Sequence, residues 1–354
     1  MNDSLINDNR EAVDFKGLTF SKYSKNDVKK ALIDNLFEGQ IESACHWSSE
    51  LICAGHFIDL WEIILLYMSK NIHLGNPKIV IYLAKRYETF KSVVDTANIT
   101  SIIQLRNNLT IRKLFAEIMC ILSQSKTMHS IELIKINLTD AFDHDLMQGR
   151  LKASSKHYLE PFYKQGDPKS LFIAFNEFSY CISVDCLDMT TACYWIEWII
   201  EFENMHKKSK GRVTCEGREY IDVEPSYQSD AVWVIWDAIL HYGKLKSKFT
   251  QQTLSSLLKL FCIRYTSSTC KKRRYILYFA VGLVIDTVKT NIEICTDKPV
   301  VKKVLDKINC IYNQVKLNED NSTIKSAGYS EKRKKIEASL KKLEMVDQVT
   351  ASDI

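Results

Sequence analysis

Ala44-Cys45-His46-Trp47 recurs as Ala192-Cys193-Tyr194-Trp195, 148 positions later. A second echo follows each copy. Leu60-Trp61-Glu62-Ile63-Ile64-Leu65-Leu66-Tyr67 aligns with Ile235-Trp236-Asp237-Ala238-Ile239-Leu240-His241-Tyr242 at an offset of 175. Two echoes in the same order describe one helical unit written twice, the second copy carrying 27 extra residues between them. A repeat on this scale sets the architecture before any local motif does. In the first copy Ile41, Ala44, Cys45, Ser48, Leu51 and Ile52 fall on one helical face, and Gly55 supplies a C-terminal stop.

The bulk composition agrees with helices. The chain has 354 residues, 46% hydrophobic and 26% charged, with only 11 Gly and 5 Pro. So few turn formers argue against an all-β or open α/β fold. The net charge of +5 gives a weakly basic field, whereas a duplex-binding module carries a stronger and more clustered excess. The last 39 residues mix eight Lys/Arg with seven Asp/Glu, so the tail is not a basic arm.

The eleven cysteines include no Cys-x-x-Cys, and Cys45, Cys120, Cys193 and Cys262 sit inside apolar helical patterns. That usage reads as reduced core residues in a cytoplasmic or nuclear compartment. Met1 to Arg10 has no signal-peptide pattern, so a secreted protein is not expected. The longest apolar run, Tyr275 to Ile285, is too short to span a bilayer, and no membrane partner is expected.

The organisation follows from the period. Residues 1–25 read as a flexible N-terminus. A first helical unit spans 26–136, with helices expected near 26–37, 40–54, 57–72, 77–91 and 104–123. Residues 137–167 form a linker or packed crossover. A second unit spans 168–316, with helices near 168–182, 188–206, 227–242, 250–264, 271–290 and 297–316. Within it, Arg212-Val213-Thr214-Cys215 and Tyr220-Ile221-Asp222-Val223 flank Glu216-Gly217, which predicts a small inserted β-hairpin over 207–226. Residues 317–354 form a flexible tail with one amphipathic helix, Ile336, Leu340 and Leu343 marking its stripe.

All six tryptophans, Trp47, Trp61, Trp195, Trp198, Trp233 and Trp236, lie in the repeated helices. Most read as inter-helix core. Trp198 and Trp233 are the candidates for an aromatic face turned to a partner. These helices lack the interleaved cations that accompany base stacking.

Catalytic sets are missing at the level of sequence. No two glycines lie within five positions of each other, which excludes Gly-x-Gly-x-x-Gly and the P-loop; Gly243-Lys244 has Ala238 at the first-glycine position. Asp143-His144-Asp145 lacks further matching ligands. Cys181, Cys186, Cys193, His206 and Cys215 fit no zinc spacing. Ser123-Gln124-Ser125-Lys126 lacks the companions of the Ser-x-x-Lys motif. No catalytic residue, cofactor or metal is expected, and the chain reads as not an enzyme.

Basic clusters are the remaining candidates. Lys271, Lys272, Arg273 and Arg274 precede an apolar helix, where four positive charges oppose the macrodipole and suit a phosphate-bearing ligand. Lys207, Lys208, Lys210 and Arg212 lead into the expected hairpin, and Lys332 to Lys335 open the tail helix.

Read on through Leu51-Ile52-Cys53-Ala54-Gly55, the first echo resembles the C-terminal helical collar of the RarA/MgsA/Werner-interacting family of clamp-loader-like AAA+ proteins. That family has an Ala-x-x-Trp helix ending in Ala-Gly, then a helix leading to a Leu-x-Asp-Pro turn, where this chain has Leu74-Gly75-Asn76-Pro77. Leu114-Phe115-Ala116 and Ser125-Lys126 stand where the family has a Leu-Ala helix ending near a Lys-Ser step. The resemblance covers residues 27–130 and implies collar-type oligomerisation. The family's ATPase module lies ahead of the collar, where this chain has about 25 residues, so no ATPase role follows. In its Lys/Asn/Ile-rich style the whole chain also resembles proteins of large DNA viruses infecting eukaryotes.

The expectation is therefore an all-α protein of two related multi-helix units, packed like a clamp-loader collar or a helical repeat, with an inserted β-hairpin. Its expected function is a non-catalytic interaction or assembly module, with a protein partner or a second copy of itself, attached to viral DNA replication or repair machinery. The alternatives are nucleic-acid binding through the basic clusters and a structural role in the virion.

Overall fold

A computed structural model describes residues 4–96, 101–143, 147–209, 211 and 213–319. Among the described residues all regular structure is helical; the one β contact is an isolated bridge between Leu18 and Ser24. The helices are α1 (Lys25–Phe37), α2 (Ile41–Cys53), α3 (Phe57–Tyr67), α4 (Lys78–Thr96), α5 (Ile102–Asn107), α6 (Leu109–Gln124) and α7 (Leu138–Ala141). They continue as α8 (Phe172–Ile182), α9 (Met189–Lys208), α10 (Val232–Gly243), α11 (Lys248–Cys262), α12 (Ser267–Lys272), α13 (Arg274–Ile285) and α14 (Lys298–Lys316). No helix among the described residues is long and apolar enough to cross a membrane. The expected tail helix lies outside the described residues.

The chain forms two compact units, each built from separated stretches of sequence. The first comprises the described parts of Met1–Ile64, Lys85–Ser125 and Ile294–Ile354; the second comprises Leu65–Ala84 and Lys126–Glu293. The consecutive blocks 26–136 and 168–316 are thus not the compact units. The last helix, α14, packs on α2 and α6 in the first. Its apolar residues Ile308, Tyr312 and Val315 recur at one helical face and are buried there.

In the first unit, Ser24 caps α1 by accepting from the Asn26 N–H, and Val28, Leu32 and Leu36 turn inward. Helix α2 packs against both α1 and α6, and α1 against α6. After α2 the chain turns at Gly55 with φ +76°, and a Cβ there would lie 2.8 Å from Ile102 Cγ2, so glycine is required twice over. Phe57 and Trp61 of α3 interlock with Tyr87 and Phe90 of α4 and Phe115 of α6, with ring centroids 5.1–6.1 Å apart. The N-terminal stretch, expected to be flexible, is packed: Ile6, Phe15 and Phe20 are buried. Arg106 fixes it by donating to the carbonyls of Asp8 and Arg10.

In the second unit, α9 packs against α8 and α13, and α8 against α13. Each helix carrying the first echo thus packs on two helices that also meet each other, and α2 packs in addition on α14. Each helix carrying the second echo makes an aromatic contact with a later helix. Trp61 meets Phe90 on the helix that follows it, and Trp236 meets Phe261 on α11. Helix α13 further receives a π-helical turn at Met68–Ile72 and a 3-10 turn at His73–Gly75.

The described residues of 207–226 hold no strand, contrary to the expected hairpin. Helix α9 runs on to Lys208, and the loop beyond is drawn inward by one side chain. Arg218 is 0% exposed and makes a two-pronged ion pair with Asp167, also 0% exposed. Its Nε donates to Asp237 of α10 at 2.8 Å. Cys215 and Ile221, on either side, are buried with it. The alternating β-prone residues thus serve a clamped loop rather than a ladder. Asp167 also accepts from the Lys164 and Glu216 N–H groups, which makes the end of the 137–167 crossover part of this core.

Candidate interaction surfaces

The structure separates the candidate side chains into buried and exposed sets. Trp198 is buried; its Nε1–H donates to the Ala141 carbonyl at 2.7 Å, and its ring lies against Phe142 and Phe202. Trp233 is 0% exposed, donates to the Tyr227 carbonyl at 2.6 Å and packs on Phe261 and Tyr265. The expectation of an outward aromatic face at these two positions is thereby corrected. Each indole N–H has found a backbone acceptor, so burying the ring carries no hydrogen-bond penalty.

Trp47 is instead the tryptophan that reaches the surface. Half-buried on α2, it stands edge-on to Tyr23 at 5.4 Å and to His46 at 5.2 Å. Tyr23 is exposed, and its loop is held where the Thr19 N–H donates to the Tyr23 carbonyl. The other five tryptophans are buried. Tyr23, exposed, with His46 and Trp47, half-buried, accordingly forms an aromatic patch at the surface of the first unit.

The basic run 271–274 is also divided. Lys271 and Lys272 lie exposed in the last turn of α12, where positive charge complements the helix dipole; the expected start of one long helix is corrected to the end of a short one. Arg273, 3% exposed, caps that end and donates to the Phe261 carbonyl at 2.6 Å. Arg274 is buried and donates through Nη1 to Glu197 at 2.8 Å. Neither arginine faces solvent as a phosphate ligand must. Glu197 accepts from Tyr278 through its other oxygen, and burial raises its carboxyl pKa while Tyr278 and Arg274 oppose the rise.

Lys207 and Lys208 are exposed in the last turn of α9; Lys210 and Arg212 lie outside the described residues. An open cleft of about 570 Å³ brings Lys207 and Asn204 of α9 together with Ser226, Tyr227, Ser267 and Ser268. Lys271 follows Ser267 and Ser268 on the same face of α12, four and three positions on, and pairs with Glu201. Carboxylates lie close to this cleft. Asp230 accepts from Ser267, at its edge, and from Tyr265, and Glu203 accepts from the Ala231 N–H. Both are buried, and their charge adds to desolvation in raising the Cys270 thiol pKa. Ammonium groups at the rim above carboxylates suit an extended polyanion held at the surface and oppose a phosphate drawn deep inside.

Sequence reasoning missed the Arg218–Asp167–Asp237 clamp and the Glu197–Arg274–Tyr278 set. Glu197 carried a signal, being a carboxylate inside Trp195-Ile196-Glu197-Trp198-Ile199. Arg218 carried none. In the loose cysteine cluster Cys181, Cys193 and Cys215 are buried, which raises their thiol pKa, and Cys186 is half-buried. Comparison with protein-family models, curated proteins and solved structures finds no match to this chain.

Proposed function

We propose that the chain is a non-catalytic interaction module that engages a protein partner, or a second copy of itself, through the aromatic patch of the first unit. The observation that carries this reading is that Trp47, half-buried beside exposed Tyr23, reaches the surface while the five other tryptophans are buried. Tryptophan and tyrosine supply large, stiff contact area at little entropic cost, and they dominate the energetics of protein interfaces. The collar resemblance of residues 27–130 adds self-association in a replication or repair assembly, and the style of the chain adds a viral setting. Light scattering across a concentration series tests the reading. Association lost in Trp47→Ala and Tyr23→Ala, with helicity retained, supports it. A strict monomer whose partner capture is indifferent to both substitutions defeats it.

A second reading is favoured by the exposed lysines. Lys207, Lys208, Lys271 and Lys272 stand at the C-terminal ends of α9 and α12, a rim suited to a nucleic-acid backbone. Binding of this kind weakens steeply with salt, because each neutralised phosphate releases counterions. Fluorescence anisotropy with a labelled oligonucleotide at rising salt measures the slope. Replacing the four lysines by glutamine flattens it; no binding at low salt removes the reading.

A further inference from the structure

The loop over 213–224 in the second unit is anchored at every third residue. Cys215, Arg218 and Ile221 are buried, while Glu216, Glu219, Tyr220, Asp222 and Glu224 are exposed. Two backbone bonds tie it down: the Cys215 N–H donates to the Ser229 carbonyl at 2.9 Å, and the Arg218 N–H to the Gln228 carbonyl at 3.0 Å. Tyr220 is 57% exposed, yet its hydroxyl donates to Asp237 of α10, the same carboxylate that accepts from Arg218 Nε. A phenol open to solvent is thus linked to the buried clamp. Among the described residues Tyr23 is the other exposed tyrosine, and it stands between Lys22 and Lys25. Tyr220 instead has four carboxylates around it, Glu216 and Glu219 before it and Asp222 and Glu224 after it.

We propose that Tyr220 is a phosphorylation site and that its modification frees the 213–224 loop from the Arg218 clamp. The enzyme it suits is a tyrosine kinase with a basic substrate groove, since opposite charge steers an acidic segment into place. In the transfer the Tyr220 hydroxyl oxygen attacks the γ-phosphorus of a nucleoside triphosphate, and the bond from that phosphorus to its bridging oxygen breaks. The nucleoside diphosphate leaves, and the phenol proton passes to the kinase's catalytic base. In the closed loop, burial and the charge of Asp237 raise the phenol pKa. The hydroxyl is therefore a donor there, and it reacts once the side chain has swung outward into the kinase.

The product cannot resume the old contact. The ester oxygen has no proton to donate, and the phosphate adds a charge of about −1.5 to −2 at pH 7, which Asp237 repels. Arg218 has no free fork to offer it. Both Nη atoms serve Asp167, Nη1 also serves the Glu216 carbonyl, and Nε serves Asp237. Lys164, a cation beside the loop, is held by the Gly217 carbonyl and by Glu216.

The experiment incubates the folded full chain with ATP and a tyrosine kinase that accepts a glutamate–tyrosine copolymer, then locates the phosphoryl group by peptide fragmentation. Tyr220 should be modified and Tyr23 left free. Release of the loop is read at Cys215, whose buried thiol becomes open to iodoacetamide when the loop lifts. Its alkylation should run about tenfold faster after phosphorylation, as loss of one hydrogen bond to a charged acceptor raises the open population. Cys53, buried in the first unit, should keep its rate. A phosphatase should restore the slow reaction of Cys215, and Tyr220→Phe should not respond to the kinase. Circular dichroism checks the fold of that variant; should it misfold, reversal by phosphatase on the wild-type chain supplies the comparison. Modification at Tyr23 in place of Tyr220, modification of Tyr220 only after unfolding in urea, or a phosphorylated chain whose Cys215 reacts no faster than before, overturns the proposal.

Discussion

Replacing Arg218 by methionine should destabilise the second unit by about 3–5 kcal/mol, the usual cost of removing one partner from a buried ion pair. The magnitude follows from what is left behind. Arg218 lies between two carboxylates, donating to Asp167 through both Nη atoms and to Asp237 through Nε. Asp167 keeps its two backbone donors when the guanidinium goes, but its charge stays buried without a cation. Asp237 is nearly as enclosed, at 11% exposed. Arg218→Lys should recover part of the loss, because one ammonium cannot serve two carboxylates with a planar fork. A double-mutant cycle isolates the pair. Arg218→Met with Asp167→Asn removes both charges, so its cost should fall short of the sum of the single costs by ~2 kcal/mol, within the usual coupling range. Urea unfolding followed by far-ultraviolet circular dichroism and tryptophan emission reads all four variants, Asp167→Asn alone included. Trp233 and Trp236 lie on the same helix as Asp237 and report its loosening. A single-mutant cost under about 1 kcal/mol, or strict additivity in the cycle, would refute the account of Arg218 as the anchor of the loop.

Three further outcomes are expected. Gly17 and Gly55 share a left-handed φ, of +89° and +76°, but only Gly55 has a neighbour where a Cβ would stand; Gly17→Ala should cost about 1 kcal/mol and Gly55→Ala clearly more, measured by thermal unfolding. Trp233→Phe should cost about 1 kcal/mol more than Trp236→Phe, because it removes one of the two hydrogen bonds to the Tyr227 carbonyl and leaves only that from the Asp230 N–H, while the Trp236 indole N–H has no protein acceptor to lose. Burial lowers the pKa of His56, His73 and His241. The unfolded chain therefore binds more protons, and stability should fall as pH drops through the ordinary histidine value of about 6.5 toward the lowered folded values. His56→Gln, titrated by chemical denaturation between pH 7.5 and 5.5, should flatten part of that slope; an unchanged slope contradicts the role of His56.

Helical class and most helix positions were legible because apolar period and caps are local. Two of the expected helices run across a break. The run 104–123 breaks at Asn108, whose side chain accepts from the Ile111 N–H and restarts the helix as α6. The run 271–290 breaks at Arg273, whose guanidinium answers to a carbonyl twelve residues earlier, a partner that no local window contains. The same limit governed the surfaces. Four consecutive cations look alike in sequence, yet Lys271 and Lys272 are exposed and Arg273 and Arg274 buried, because Phe261 and Glu197 lie on other helices. Among six tryptophans only packing distinguishes Trp47, since its Ala-Cys-His-Trp context matches that of fully buried Trp195. The β-prone residues near Cys215 and Ile221 were read by propensity, which tertiary burial overrode.

The placement of α14 against α2 and α6 bears on how the polypeptide matures at the ribosome. The segments that make up the second unit have all emerged by Glu293, whereas the first still lacks Ile308, Tyr312 and Val315. Synthesis at about 5–20 residues per second keeps α2 and α6 waiting for seconds with a hydrophobic seam uncovered. During that interval a chaperone has a defined target, and release of the nascent chain short of residue 298 should leave a product prone to aggregation.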